Sequence, residues 1–233
     1  MDGGFGPTVV FEVAGIQVTE TVTVTWFIMA VLTVFSILVT RNLKKVPGPL
    51  QSMVEALVEA VNNLTAQTMG EDKMGFAPYM GTLLVFLSIA NLIGLIGMRP
   101  PTADVNTTMS LAMMTFILVH INGARSKGLG GYLKSFAEPL APLLPLNIIG
   151  ELANPISLGF RLFGNIVGGL VIMSLLYGGL ASLSTSLLGS SAPPILSAGV
   201  PAVLHVYFDM FAGVLQSFIF TMLTMVYIAM AMD

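Results

Sequence analysis

Apolar residues along this chain come in runs of about the 20 residues that a helix needs to cross a bilayer, separated by short polar or proline-rich breaks. Val22–Thr40 carries no charge and predicts a first spanning helix over residues 22–40, closed by the Arg41-Asn-Leu-Lys-Lys45 cluster. Residues 1–21 precede it with Asp2, Glu12 and Glu20 and no base, and read as an external N-terminal segment. Pro47-Gly-Pro49 breaks the chain. Over residues 47–70, Leu50, Met53, Val54, Leu57, Val61 and Leu64 then recur at helical spacing, with Gln51, Glu55, Glu59, Asn62 and Asn63 on other faces. That pattern predicts an amphipathic helix lying along the cytoplasmic interface.

Residues 76–123 predict two further spans: Phe76–Met98, with Asn91 as its strongly polar interior residue, and Val105–Gly123. The short loop Arg99-Pro-Pro-Thr-Ala-Asp104 joins them on the outer side. Residues 134–232 hold no clear loop before Leu188, and Pro139, Pro142, Pro145 and Pro155 stand where they kink or break whatever helix runs there. With Arg161 near mid-membrane, the bilayer surface is about 15 Å away, while residues 161 to 188 would extend about 40 Å as helix. Such a helix is strongly tilted, bent around Gly178-Gly179, or partly outside the hydrocarbon; a long oblique helix is the preferred reading. A turn at Gly189-Ser-Ser-Ala-Pro-Pro194 leads into a last helix over roughly Val200–Met230. The expected fold is all-α and multi-pass: about five spanning helices, one interfacial helix and a long tilted C-terminal hairpin, in a single integral membrane domain over residues 1–233.

Composition agrees: 55% of the 233 residues are hydrophobic and 9% charged, with a mean hydropathy of +0.89. The net charge of −3 decides little, because topology follows the placement of Lys and Arg. Of nine basic residues, seven (Arg41, Lys44, Lys45, Lys73, Arg125, Lys127 and Lys134) fall at ends that the positive-inside rule assigns to the cytoplasm, so the N-terminus is expected outside and the C-terminus inside. Arg99 falls outside and Arg161 within the membrane. The absence of cysteine excludes disulfides and thiolate metal sites. No basic region precedes the first apolar run, so no cleavable signal peptide is expected. There is no phosphate loop, metal-ligand cluster or Ser/His/Asp set that could meet, so ATP chemistry, a cofactor and a metal are not expected on this chain. So few bases also leave nucleic-acid binding unsupported.

Arg161 is the anomaly. A charged side chain near the bilayer centre costs roughly 2.5–3.5 kcal/mol on insertion scales, and such residues face a partner, a protein interior or a water-filled path. Ser157, Arg161, Gly164 and Gly168 share one helical face, with Asn165 at its edge. The Gly164/Gly168 spacing admits close approach of another helix. On the last helix, His205, Asp209, Gly213, Gln216, Ser217 and Tyr227 form a polar stripe. A lone His or Gln there serves equally well as a packing residue, whereas a buried acid is expensive unless paired, protonated or hydrated, which makes Asp209 the better candidate for a proton or cation step.

Ser157-Leu-Gly-Phe-Arg-Leu-Phe-Gly-Asn165 closely resembles the signature of subunit a of F-type ATP synthases, and Pro101-Thr-Ala-Asp-Val-Asn106 and the Leu215–Tyr227 segment are similar to two further stretches of that family. The likeness runs from about residue 22 to the end. It implies a non-catalytic stator subunit of a bacterial plasma membrane, surrounded by lipid. Its implied partners are a rotating ring of c subunits, the b-subunit peripheral stalk and the other ATP synthase subunits, and it contains two offset aqueous half-channels for H⁺ or Na⁺. Arg161 matches the family's essential arginine, Asn165 the asparagine one turn later and Gln216 the glutamine of the last helix; Asp209 and His205 join them as candidates for ion translocation, and Ser157, Gly164 and Gly168 as ring-facing positions. Many bacterial relatives carry Glu where this chain has Leu170, and His or another polar group where Asp209 stands, which implies that the proton-path acid has moved between helices. The competing functions are a stand-alone cation/proton antiporter or channel, for which the expected inverted repeat is missing, and a non-conducting assembly scaffold.

Overall fold

The computed structural model describes residues 8–13, 15–138, 140–188, 201 and 204–233. Six α-helices dominate them: α1 Glu20–Thr40, α2 Pro49–Met69, α3 Ala77–Leu92, α4 Val105–Ser135, α5 Leu144–Leu188 and α6 Ala212–Met232. Five helical stretches are long and apolar enough to cross a membrane, built on α1, α3, α4, α5 and α6. The chain is an all-α membrane protein.

Before the first helix, strands β1 (Val9–Val13) and β2 (Ile16–Thr19) pair as an antiparallel hairpin. Gly15 turns it with a φ of 83°, a left-handed conformation that suits a residue without Cβ. The sequence reading gave residues 1–21 no structure; the alternation in Val-Phe-Glu-Val and Ile-Gln-Val-Thr was the available sign. α2 starts on Pro49, where a missing N–H costs nothing. α4 runs on past Gly123 but breaks at Gly128, with a φ of 73°. The next helix begins with Pro145 in its first turn and continues through Pro155 to Leu188, passing Gly178-Gly179 without a break. At about 1.5 Å per residue its 45 residues extend about 68 Å, more than twice the hydrocarbon thickness of about 30 Å, so it cannot stand upright in a bilayer. The turn expected at Gly189–Pro194 lies outside the described residues. Just before α6, Val206–Phe211 forms a π-helical turn.

Packing follows from the solvent that lipid provides. Hydrocarbon removes most of the hydrophobic drive between helices, so close packing and polar contacts hold them together. The most buried positions include Thr21, Thr65, Thr102, Thr108, Thr115, Ser217, Thr221 and Thr224, while Trp26, Phe35, Leu38, Phe160 and Leu175 face outward. Many buried hydroxyls bond the carbonyl one turn back, as Thr65 does to Val61, Thr221 to Ser217 and Thr224 to Phe220. Thr115 and Thr224 also meet across α4 and α6 at 3.2 Å.

Two side chains brace the end of the bundle remote from the basic clusters. Asn91 Nδ2 donates to Gly213 O and Ser217 Oγ, both at 2.9 Å, while its Oδ1 accepts from Thr102 Oγ1 at 2.6 Å. A Cβ on Gly213 would come within 3.1 Å of Asn91 Cβ, so glycine is what lets α6 approach α3 this closely. Asp104 caps α4 through the Asn106 amide at 2.9 Å and accepts from Thr21 Oγ1 at 2.8 Å, which ties the starts of α1 and α4 together. At the opposite end, Lys73 pairs with Asp233, and Ser126 Oγ donates to Met232 O at 2.7 Å. Alternate helices therefore begin and finish at opposite ends of one bundle.

Replacing Asn91 by Ala strips partners from Thr102 and Ser217 inside the bundle. The detergent-solubilised protein is expected to lose about 1–2 kcal/mol of stability, read as a lowered Tm, while Trp26→Leu on the outward face leaves the Tm unchanged.

Candidate functional site

The helix α5 carries Arg161 on a face that is uncovered among the described residues. Arg161, Ser157 and Gly164 are exposed, and around Gly164 and Gly168 nothing stands within 4 Å of where a Cβ would lie. The guanidinium reaches Ser157 Oγ at 3.5 Å, one turn back on its own helix. Among the described residues it has no acidic partner within ion-pair distance. The glycines of α5 divide by face. A Cβ on Gly159 would meet Met109 Sδ at 2.6 Å, and one on Gly169 would touch Phe208 at 3.6 Å. Gly159 and Gly169 thus serve packing within the chain, whereas Gly164 and Gly168 leave an open groove beside a cation.

Asn165 joins the two arms of the hairpin: its Nδ2 donates to Gln216 Oε1 at 2.6 Å. Gln216 is 2% exposed, and its Nε2 is buried without a protein acceptor among the described residues. Such a donor costs about 1–3 kcal/mol when left unsatisfied. Asn165 and Gln216 are therefore brought together, and Arg161 lies one turn before them on the neighbouring face. His205 bonds Tyr177 Oη through Nε2 at 2.9 Å. The backbone of Asp209 lies in the π-helical turn, and its side chain is outside the described residues. Leu170 is 37% exposed on α5.

Sequence reasoning missed a cavity of about 580 Å³ between the basic end of α4, the C-terminal end of α6 and the start of α5. Thr115, Lys127, Tyr132, Glu138, Asn147, Glu151 and Asn154 supply its polar wall, and it extends to Leu158, three residues before Arg161. Asn147 Nδ2 donates to the carbonyls of Phe136 and Glu138 at 2.8 and 3.1 Å, which fixes the approach of the chain to α5. Pro155 lies inside the helix and has no N–H, so the carbonyl of Glu151, four residues earlier on the same wall, loses its helical donor. The wall is about half polar and half apolar, and the carboxyls of Glu138 and Glu151 are its acidic groups. The signal available in sequence was the pairing of Glu151 with Pro155 at that spacing.

Comparison with known proteins gives the family of the chain. The family model for the ATP synthase A chain matches residues 22–229. The chain is 38% identical to the sodium ion specific ATP synthase subunit a of Propionigenium modestum, over 93% of this chain and 75% of that one. It is 39% identical to ATP synthase subunit a 1 of Hahella chejuensis, over 100% of this chain and 92% of that one. With ATP synthase subunit a 2 of Bradyrhizobium sp. (strain BTAi1 / ATCC BAA-1182) it shares 37% identity, over 96% and 93%.

The division of glycines by face yields an expected outcome. Gly164→Val and Gly168→Val leave the stability of the isolated chain within about 0.5 kcal/mol of wild type, because they point into open space. Gly159→Val lowers it by about 1–3 kcal/mol through overpacking against Met109. Thermal unfolding in one detergent compares all three.

Proposed function

The chain belongs to the ATP synthase A chain family, and from that premise we propose how its residues perform ion translocation as the membrane stator subunit of the synthase. The observation that carries the reading is the exposed Arg161 over a groove of small residues. A guanidinium turned toward hydrocarbon is too costly to persist there, so its face belongs against a partner that brings negative charge. A carboxylate on a passing subunit of a rotor ring meets that need.

The chemistry is electrostatic. A guanidinium stays protonated at any physiological pH. At about 4 Å and an effective dielectric of about 20 it attracts a carboxylate by about 4 kcal/mol, which favours the ionised form and release of the bound ion. The same fixed charge repels cations that would otherwise pass straight along α5. Ions must then travel on the rotor. One monovalent ion crossing 100 mV carries about 2.3 kcal/mol, so a ring that sums several ions per ATP fits the energetics.

Two access paths complete the scheme. The partly polar cavity beside Glu151 extends to Leu158, close to Arg161 in the chain, and supports a half-channel opening at the basic end. The positive-inside rule assigns that end to the cytoplasm, with the N-terminus outside, in a plasma membrane. The other half-channel runs between α5 and the π-helical turn, where Asp209, His205, Asn165 and Gln216 are its polar residues. Ser157, Gly164 and Gly168 face the ring. The b subunits of the peripheral stalk and the remaining synthase subunits are the other partners, and the ATP chemistry takes place on those remaining subunits. A family match over residues 22–229 weighs against a stand-alone antiporter; co-purification of this chain with a c-ring and cytoplasmic ATPase subunits separates the two readings.

In reconstituted complexes, Arg161→Ala is expected to lower ATP-driven ion pumping and ATP synthesis by about a hundredfold or more, the equivalent of losing roughly 3 kcal/mol or more. Passive ion leak rises, and subunit composition stays complete. Retained synthesis in that variant would make Arg161 a structural residue.

A further inference from the structure

A second cavity, of about 710 Å³, runs inward between α1, α3 and α4 from the end of the bundle remote from the basic clusters. Val22 and Met29 of α1, Leu83 and Phe86 of α3, and Leu111 and Met114 of α4 supply its mostly apolar walls. Met29, Thr33, Thr82, Ser110 and Met114 line it and are exposed, so the groove opens sideways to the bilayer. Along α1 it extends from Val22 to Thr33, about 16 Å of helix, which is about half of the hydrocarbon thickness of about 30 Å. The groove is one leaflet deep. None of the residues placed on the ion path lines it.

Hydrogen bonding distinguishes its length from its end. Along the length, Thr25, Thr33, Thr82 and Ser110 each donate their hydroxyl proton to the carbonyl one turn back on their own helix. Those donors are spent, and an apolar groove does not hold ordered water. In a bilayer the filler at hand is an acyl chain. The end is built of acceptors. Asp104 is 5% exposed and accepts from the Asn106 amide and from Thr21 Oγ1. Because Thr21 gives its proton to Asp104, Thr19 is the donor in the 2.9 Å contact between the Thr19 and Thr21 hydroxyls, which leaves Thr19 Oγ1 an acceptor on the wall. Among the described residues no base stands within ion-pair distance of Asp104, and Arg99, five residues earlier, is not on the wall. A carboxylate without a counter-charge, next to a hydroxyl acceptor, matches a ligand that brings positive charge and N–H donors together.

α1 gains most from such a ligand. Its buried residues are Thr21, Val24 and Ile28, of which Val24 and Ile28 pack on Ala90 and Ile93, while the groove separates it from α4. We propose that the groove binds one phospholipid with a primary-amine headgroup, of the phosphatidylethanolamine class. One acyl chain lies between α1, α3 and α4, the ammonium faces Asp104 and Thr19, and the lipid seals α1 to the bundle.

The test uses the intact complex in phosphatidylcholine liposomes that carry a trace of phosphatidylethanolamine with a photoreactive acyl chain, and the labelled peptides are mapped by mass spectrometry. Label is expected at groove positions such as Met29, Leu83 and Met114. Unlabelled phosphatidylethanolamine competes it away at a concentration about fivefold lower than phosphatidylglycerol does, the weight of one partly screened ion pair. Asp104→Asn keeps a capping side chain and brings the two competitors close to parity. Ser110→Trp fills the groove, leaves Asp104 in place and removes the label; it decides the matter alone if Asp104→Asn does not assemble. Trp26→Leu on the outward face changes neither result. The proposal is overturned if label spreads over outward positions such as Trp26 and Phe35 with no preference between competitors, which is bulk lipid only. It is equally overturned if a photoreactive residue placed at position 110 cross-links to another protein subunit, which makes the occupant a partner helix.

Discussion

A guanidinium cannot be neutralised in a protein and is expensive to leave in hydrocarbon, so its position constrains everything built around it. In this chain Arg161 sits on an uncovered face of a 45-residue helix, beside glycines that keep the surface shallow. The rest of the fold serves to hold that helix oblique and to leave that face open. α4 supports it from behind at Gly159, the π-helical turn at Gly169, and α6 through the Asn165–Gln216 bond.

Stability in such a fold comes from polar contacts placed inside. Threonine and serine hydroxyls share the most buried positions with apolar side chains such as Phe220, Met80 and Leu87, while many other large apolar side chains are turned outward. This is the packing expected where lipid is as apolar as leucine and provides no drive to bury it. Asn91 shows the consequence: the strongly polar interior residue of the second span braces α3 to α6 and to the Thr102 loop. Gln216 is as buried as Asn91, yet its Nε2 lacks an acceptor among the described residues.

The spanning helices were legible because hydrocarbon thickness imposes a length that composition reveals. Arg161 was legible because a charge in an apolar run has few explanations. Local turns were harder: the β-hairpin before α1 is short, and Pro155 turned out to be tolerated inside α5, where its loss of one donor falls on the wall of a cavity. That cavity and the Tyr177–His205 contact join residues far apart in sequence, and no periodicity within one helix reports on them. The route by which Asn165 reaches Gln216 likewise depends on how two helices cross, which is a property of packing.

The account stands or falls on what covers the Arg161 face. The chain contains no cysteine, so a single Gly164→Cys substitution gives a unique thiol in the groove. In the assembled complex, oxidation with a cysteine placed beside the ion-binding carboxylate of the ring subunit should produce a disulfide that stops ATP-driven rotation, with activity restored by reductant. A Gly159→Cys control, packed against Met109, should not cross-link. Failure of Gly164→Cys to cross-link, together with efficient cross-linking from Trp26→Cys on α1, would place the rotor on another face and contradict the account.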